Sequence, residues 1–142
     1  MITHSNNSES ISHHIYKLIV PEDILRTFMI GEIIENEEEL LLVLIENNDR
    51  LPQELTDKEV VLNGYMNSTT LQHFPLTGKK CYLNLHRRRW KEKGSDGSKS
   101  YHNEYQFTAT GTMATKSFGD FLKRYSLTSI PSALAQQVSL PE

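Results

Sequence analysis

The chain is poor in cysteine and in long apolar runs, and its first half is poor in positive charge. One cysteine, Cys81, in 142 residues excludes an internal disulfide and suits a reducing cytoplasm. Cys81 sits in a strand pattern beside Leu83 and Leu85, the place of a buried structural thiol rather than a nucleophile. No apolar run approaches the roughly 18 residues that a spanning helix needs, so no membrane partner is expected. The opening MITHSNNSESISHH lacks an apolar h-region, so no secretory signal is expected there.

Catalytic patterns are missing too. There is no Rossmann fingerprint and no GxSxG, and GTMATKSF has only one of the glycines of a phosphate-binding P-loop. The six histidines have no ligand spacing with cysteine. Cys81 and His86 are five apart on a strand and point to opposite faces. A two-metal nuclease needs convergent carboxylates, whereas the acids here cluster in ENEEE, which reads as a solvated hairpin tip. No enzyme activity, metal or cofactor is therefore expected.

What the chain does have is sorted charge. Residues 1–78 carry four Lys/Arg against 13 Asp/Glu, a balance of −9. Residues 79–124 carry 11 Lys/Arg against four Asp/Glu, a balance of +7. Such separation suggests a polyanion-facing surface, most often for nucleic acid, and the alternative is two solvated faces that attract each other within one fold.

At this length one domain with its own core is expected. Residues 1–15 read as a disordered polar stretch, 16–125 as the domain and 126–142 as a tail or linker. In VPEDILRTF, Pro21 suits a first helical position and Glu22 and Asp23 its positive end, predicting a short helix that ends near Gly31. EIIENEEELLLVLIE reads as a hairpin around Asn36 and Glu37, although its Leu-rich half also fits a helix. KEVVLNGYM reads as a strand. NSTTLQHFPLTGKK reads as a connection with turn signals at Pro75 and Gly78. Thr115 is a plausible N-cap for a helix whose Phe118, Phe121, Leu122 and Tyr125 form an apolar stripe, with Lys123 and Arg124 near its C-terminal end. The fold class is α+β: an antiparallel sheet of about four to five strands, a short N-terminal helix and a C-terminal helix.

The stretch YLNLHRRRWKEKGSDGSKSYHNEYQF, residues 82–107, is the informative one. Matching its apolar faces sets Leu85 opposite Phe107, Leu83 opposite Ala109, Arg88 opposite Glu104 and Trp90 opposite His102. The turn is then Ser95-Asp96-Gly97 with Gly97 left-handed. Near such a tip Arg87, Arg88 and Arg89 all reach solvent and could contact phosphates or guanine edges. Lys91, Lys93 and Lys99 extend the charge, and Lys79, Lys80, Lys116, Lys123 and Arg124 widen it. Trp90 and Tyr101 would stack on bases or buttress the hairpin. The competing readings are a Trp90 anchored in the sheet and an Arg88 paired with Glu104. Thr108, Thr110, Thr112 and Thr115, near a helix start, are weaker phosphate candidates.

The ordered set VPEDILRTF, Gly64-Tyr65, FPLTGKK, YLNLHRRRW and GTMATKSFGDFLKRY resembles the N-terminal-region proteins of bacterial insertion-sequence transposases of the ISAon type, over roughly residues 16–125. The resemblance implies a non-catalytic DNA-binding or accessory module whose DDE catalytic subunit is encoded downstream. Its implied partners are double-stranded DNA, such as the terminal repeats of the element, and that subunit. Its implied location is the cytoplasm, on the nucleoid when bound. The polar N-terminus, the turn 94–100 and the tail after Tyr125 depart from the pattern. Two other readings remain: docking of the basic hairpin onto the catalytic subunit, and RNA binding.

Overall fold

The computed structural model describes residues 14–129. The polar stretch up to residue 13 and the tail beyond 129 lie outside the described residues. After a helical turn over 14–17 come α1 (Glu22–Leu25), β1 (Phe28–Glu35), β2 (Glu39–Glu46), a short 3-10 turn (Gln53–Leu55) and β3 (Val60–Tyr65). Then follow β4 (Thr69–Leu76), β5 (Lys79–His86), β6 (Arg88–Glu92) and α2 (Lys116–Ser129). The class is α+β, as expected. One sheet has four strands in the order β1-β2-β5-β4, and β3 pairs β6 in a separate two-stranded ribbon.

Period-2 patterning builds the main sheet. Along β2, Leu40, Leu42 and Leu44 are buried and the residues between them are not. Their partners on β5 are Cys81, Leu83 and Leu85, all buried, and Leu71 of β4 lies opposite Leu83. One face of the sheet is thus apolar, and Val20, Ile24, Phe28, Tyr105 and Phe107 close over it. Burial pushes the Cys81 thiol up to about 11, so it is the structural thiol expected.

Several expectations change. The β2–β5 pair is parallel, so the sheet is mixed rather than wholly antiparallel. Parallel neighbours need a long crossover, and residues 47–78 supply it. The first helix ends at Leu25, not near Gly31, because Phe28 already opens β1; Gly31 falls where the β1–β2 register shifts. NSTTLQHFPLTGKK is not a connection but β4 and a hairpin turn. Pro75 sits where the β4–β5 register is irregular, a site that tolerates proline. The hairpin around Asn36 and the β3 strand form as read.

The free edge of β4 is covered. Gln72 N–H donates to Met113 O at 2.9 Å, and Thr115 N–H donates to Gln72 O at 2.9 Å. Thr115 caps α2 as expected, accepting from Phe118 N–H at 3.4 Å. Its hydroxyl also meets His73 Nδ1 at 2.8 Å, while His73 Nε2 lies 3.1 Å from Ile19 O. A neutral ring satisfies both contacts: Nε2–H donates to the carbonyl and Nδ1 accepts from the threonine. His73 therefore ties the N-terminal segment, β4 and the α2 cap together. Phe74 stacks edge-on against Phe118 at 5.0 Å and Phe121 at 5.4 Å. α2 continues to Ser129, so Lys123 and Arg124 lie mid-helix rather than near its end.

Two predictions follow from these contacts. Thr77 (φ 49°) and Gly78 (φ 83°) form a two-residue turn with both φ positive, which a β-branched residue adopts only under strain. Thr77→Asn should raise stability by about 1 kcal/mol, read as a later urea midpoint with an unchanged slope. Burial holds His73 below its ordinary 6.5. Below that value the unfolded chain takes up a proton that the folded chain refuses, so stability is full above pH 6.5 and falls as pH drops. His73→Phe should flatten that part of the pH–stability curve.

Candidate nucleic-acid interface

The basic run starts where β5 ends. β5 has β2 on one side and β4 on the other, so no edge is left for a return strand from residues 101–109. The expected hairpin therefore does not form. After Arg87 the chain leaves the main sheet, and β6 pairs antiparallel with β3: Val61 opposite Lys91, Leu62 opposite Trp90, Tyr65 opposite Arg88. Among the described residues the return segment bridges to the β6 backbone at Trp90 and Tyr101, which exchange two hydrogen bonds of 2.8 Å. The pairs Leu85–Phe107, Leu83–Ala109 and Trp90–His102 are absent. Gly97 is left-handed, as expected.

The return segment is held instead by a buried carboxyl group. Glu46 continues the Leu40-Leu42-Leu44 stripe and is fully buried. Its Oε1 accepts from Arg88 N–H at 2.8 Å, and its Oε2 accepts from Asn103 Nδ2 at 2.9 Å and from the Tyr105 hydroxyl. Burial, and then Glu46 itself, push the Tyr105 phenol well above its ordinary value, so it remains a donor. Sequence reasoning missed Glu46, Asn103 and Tyr105 as a unit. The alternation in β2 was the available signal, because it places Glu46 on the buried face.

The three arginines are half-buried rather than free at a tip. Arg87 Nη1 donates to Asn103 O at 2.9 Å and pairs with Glu104 at 3.0 Å. Arg88 Nε donates to Glu46 O at 2.7 Å, and its guanidinium lies 5.7 Å from the Tyr65 ring centre. Glu104 thus pairs with Arg87, not Arg88. Arg89 Nε donates to Asn63 O at 2.7 Å. A Cβ on Gly64 (φ 81°) would come within 3.0 Å of Arg89 Nη2, so a glycine there leaves the guanidinium its space. Trp90 is only 7 % exposed, which makes it an anchor rather than a stacking platform. Tyr101 is half-buried, with Lys99 Nζ 5.4 Å from its ring centre.

The other expected cations do not form one patch. Lys79 and Lys80 open β5, about 20–23 Å along the strand from His86, where the basic run begins, and Lys79 is committed to Glu35 at 2.5 Å. Lys116 starts α2, and Lys123 Nζ donates to Thr110 O at 2.6 Å. Arg124 is exposed on the same helix. What does gather is a smaller set. Arg89 and Lys91 share one face of the ribbon by strand alternation, and Lys93 and Lys99 lie in the exposed loop that follows. Among the described residues neither Arg89, Lys91 nor Lys99 has a carboxylate within 4 Å, while Lys93 has Glu59 at 4.0 Å.

Three of the four threonines have internal partners: Thr108 Oγ1 accepts from Gln106 Nε2 at 3.4 Å, whereas Thr110 is exposed. Thr115 serves His73 and Phe118, and Thr112 donates to Ala109 O at 2.8 Å. Asp23 lines the hollow beside the start of α2, so a carboxylate faces any anion there. The expected apolar stripe of α2 splits: Phe118 is buried, while Phe121 and Leu122 are exposed. Among the described residues no three His, Cys, Asp or Glu gather in a metal-binding geometry. No described helix is long and apolar enough to cross a membrane.

No family model, curated protein or solved structure matches the chain.

Removing Glu46 takes the acceptor from the Arg88 amide and the Tyr105 hydroxyl, while Asn103 Nδ2 keeps Arg50 O, and losses of this kind cost about 3 kcal/mol. Glu46→Ala should therefore lower stability by about that amount in urea denaturation, and residues 101–107 should become the first segment to exchange amide hydrogens.

Proposed function

We propose that this is a non-catalytic DNA-binding accessory module that meets duplex through the β3–β6 ribbon. The observation that supports the reading is that Arg89 and Lys91 share a ribbon face with no carboxylate of the described residues within 4 Å, continued by Lys93 and Lys99. A two-stranded ribbon fits the major groove, and its cations displace condensed counterions from phosphates. The segregated charge, −9 before residue 79 and +7 over 79–124, orients such an encounter. Arg87 and Arg88 are positioning residues in this reading, since Glu104, Asn103 and Glu46 O already engage them.

The resemblance over residues 16–125 supplies the context: an insertion-sequence transposase whose DDE subunit is a separate partner, acting on element ends in the cytoplasm at the nucleoid. Docking onto that subunit through a patch containing Trp90 is disfavoured, because Trp90 is buried.

Fluorescence anisotropy on labelled duplex across a salt series tests the reading. The triple variant Lys91→Ala, Lys93→Ala, Lys99→Ala should bind more weakly and lower the salt slope by about 3, with its melting temperature kept. Equal affinity and slope would remove the ribbon as the interface. Arg88→Ala, in contrast, should lose about 1–2 kcal/mol of stability.

A further inference from the structure

One cleft is not used by the ribbon reading. It holds about 220 Å³ between the end of β5 and the 104–108 segment. That is less than the roughly 300 Å³ at which drug-sized sites begin, so it suits a single flat ring system rather than a whole nucleotide. Three aromatic rings form part of its wall, beside Leu71, Leu85 and Met113. Tyr105 and Phe107 lie nearly parallel, 10° apart with centres 5.1 Å apart, and Phe28 meets them edge-on at 5.3 and 6.0 Å. Two charged side chains join the lining, Arg87 and Glu104.

Those two groups are only half used. The Arg87 side chain meets described residues through Nη1, which donates to Asn103 O, pairs with Glu104 Oε2 and lies 3.3 Å from His102 Nδ1. Its Nε–Nη2 edge is without a partner among them. That edge is a two-donor fork of the kind that meets adjacent acceptors such as guanine O6 and N7. Glu104 pairs through Oε2 with Arg87 at 3.0 Å, and His102 Nδ1 lies 3.2 Å from the same oxygen. The Glu104 side chain is 75 % exposed, and among the described residues its ion pairs run through Oε2 and leave Oε1 open. A carboxylate accepts from neighbouring N–H groups, and guanine N1–H and N2–H₂ are such a pair. Adenine offers neither the O6 acceptor nor the N1–H and N2–H₂ donors. Met113, 61 % exposed, lines the same cleft and is a flexible apolar cover for a ring.

We infer that this cleft takes an unstacked guanine base, ringed by Phe28, Tyr105 and Phe107 and read by Arg87 and Glu104. The inference deepens the DNA-binding reading and rests on it: the ribbon engages the backbone, and the cleft reads one base that has left the stack. Such a base is presented by a single strand, a bulge or a distorted duplex end, since both edges of the ring must be free. A free guanine nucleotide has the same chemistry, and the test separates the two sources.

The full chain is titrated by anisotropy with labelled DNA duplexes that are fully paired or that carry one unpaired guanine, adenine or inosine. The guanine bulge should bind about tenfold more tightly than the adenine or inosine bulge. Glu104→Gln, at an exposed position, should equalise guanine and inosine, because inosine lacks the N2 amino group. In parallel, guanosine monophosphate should shift the Tyr105 and Phe107 ring resonances, and inosine monophosphate should not. If the nucleotide shifts these resonances but the guanine bulge gains nothing, the site serves the free nucleotide and the DNA source is overturned. Paired-duplex binding with no guanine preference in either arm overturns the inference and leaves the ribbon reading standing. Guanine preference without paired-duplex binding keeps the cleft and removes the ribbon.

Discussion

A carboxyl group buried at the end of a hydrophobic strand organises the half of the molecule where function is proposed. Glu46 ends β2 on its core face, and burial there without partners would be costly. Three donors meet it: the Arg88 amide, the Asn103 amide group and the Tyr105 hydroxyl. Each comes from chain that β2 does not otherwise pair. The same contact therefore fixes where β6 departs and where residues 103–105 lie. Asn103 also donates to Arg50 O at 2.7 Å, which joins the loop after β2 to the assembly.

That constraint explains why the arginine run divides. Arg87 and Arg88 flank the departure point, and their guanidinium groups meet the carbonyls and carboxylates gathered there. Arg89 is one residue further, beyond the network, and its side chain donates from Nε to Asn63 O. Three adjacent residues of one type thus have different tasks, set by distance from a single buried acid. The aromatic cleft has the same origin. Glu46 anchors Tyr105, Tyr105 stacks on Phe107, and both close against Phe28 at the start of β1.

Much of the fold was legible in local pattern. The β1–β2 hairpin, β3, the Thr115 cap and the structural Cys81 follow from alternation, turn residues and capping, which act over a few residues. β4 was hidden because its TTLQHFPL carries a proline that normally argues against a strand, and an edge position with an irregular register accommodates it. The return strand was over-read. Tyr101, Asn103, Tyr105 and Phe107 alternate as a strand should, but both edges of β5 were already taken.

The sequence alone determined which residues are apolar at period 2, where the turns fall, that α and β elements mix, and that positive charge gathers after residue 78. Only the tertiary structure decided which charges remain available. Pairing partners are chosen across dozens of residues by competition for sheet edges and by the need to satisfy a buried acid, and neither competition leaves a local trace. That is why the arginines, conspicuous in the chain, are largely engaged in the fold. It is also why Glu46 and the cleft of Phe28, Tyr105 and Phe107, inconspicuous in the chain, are central to it.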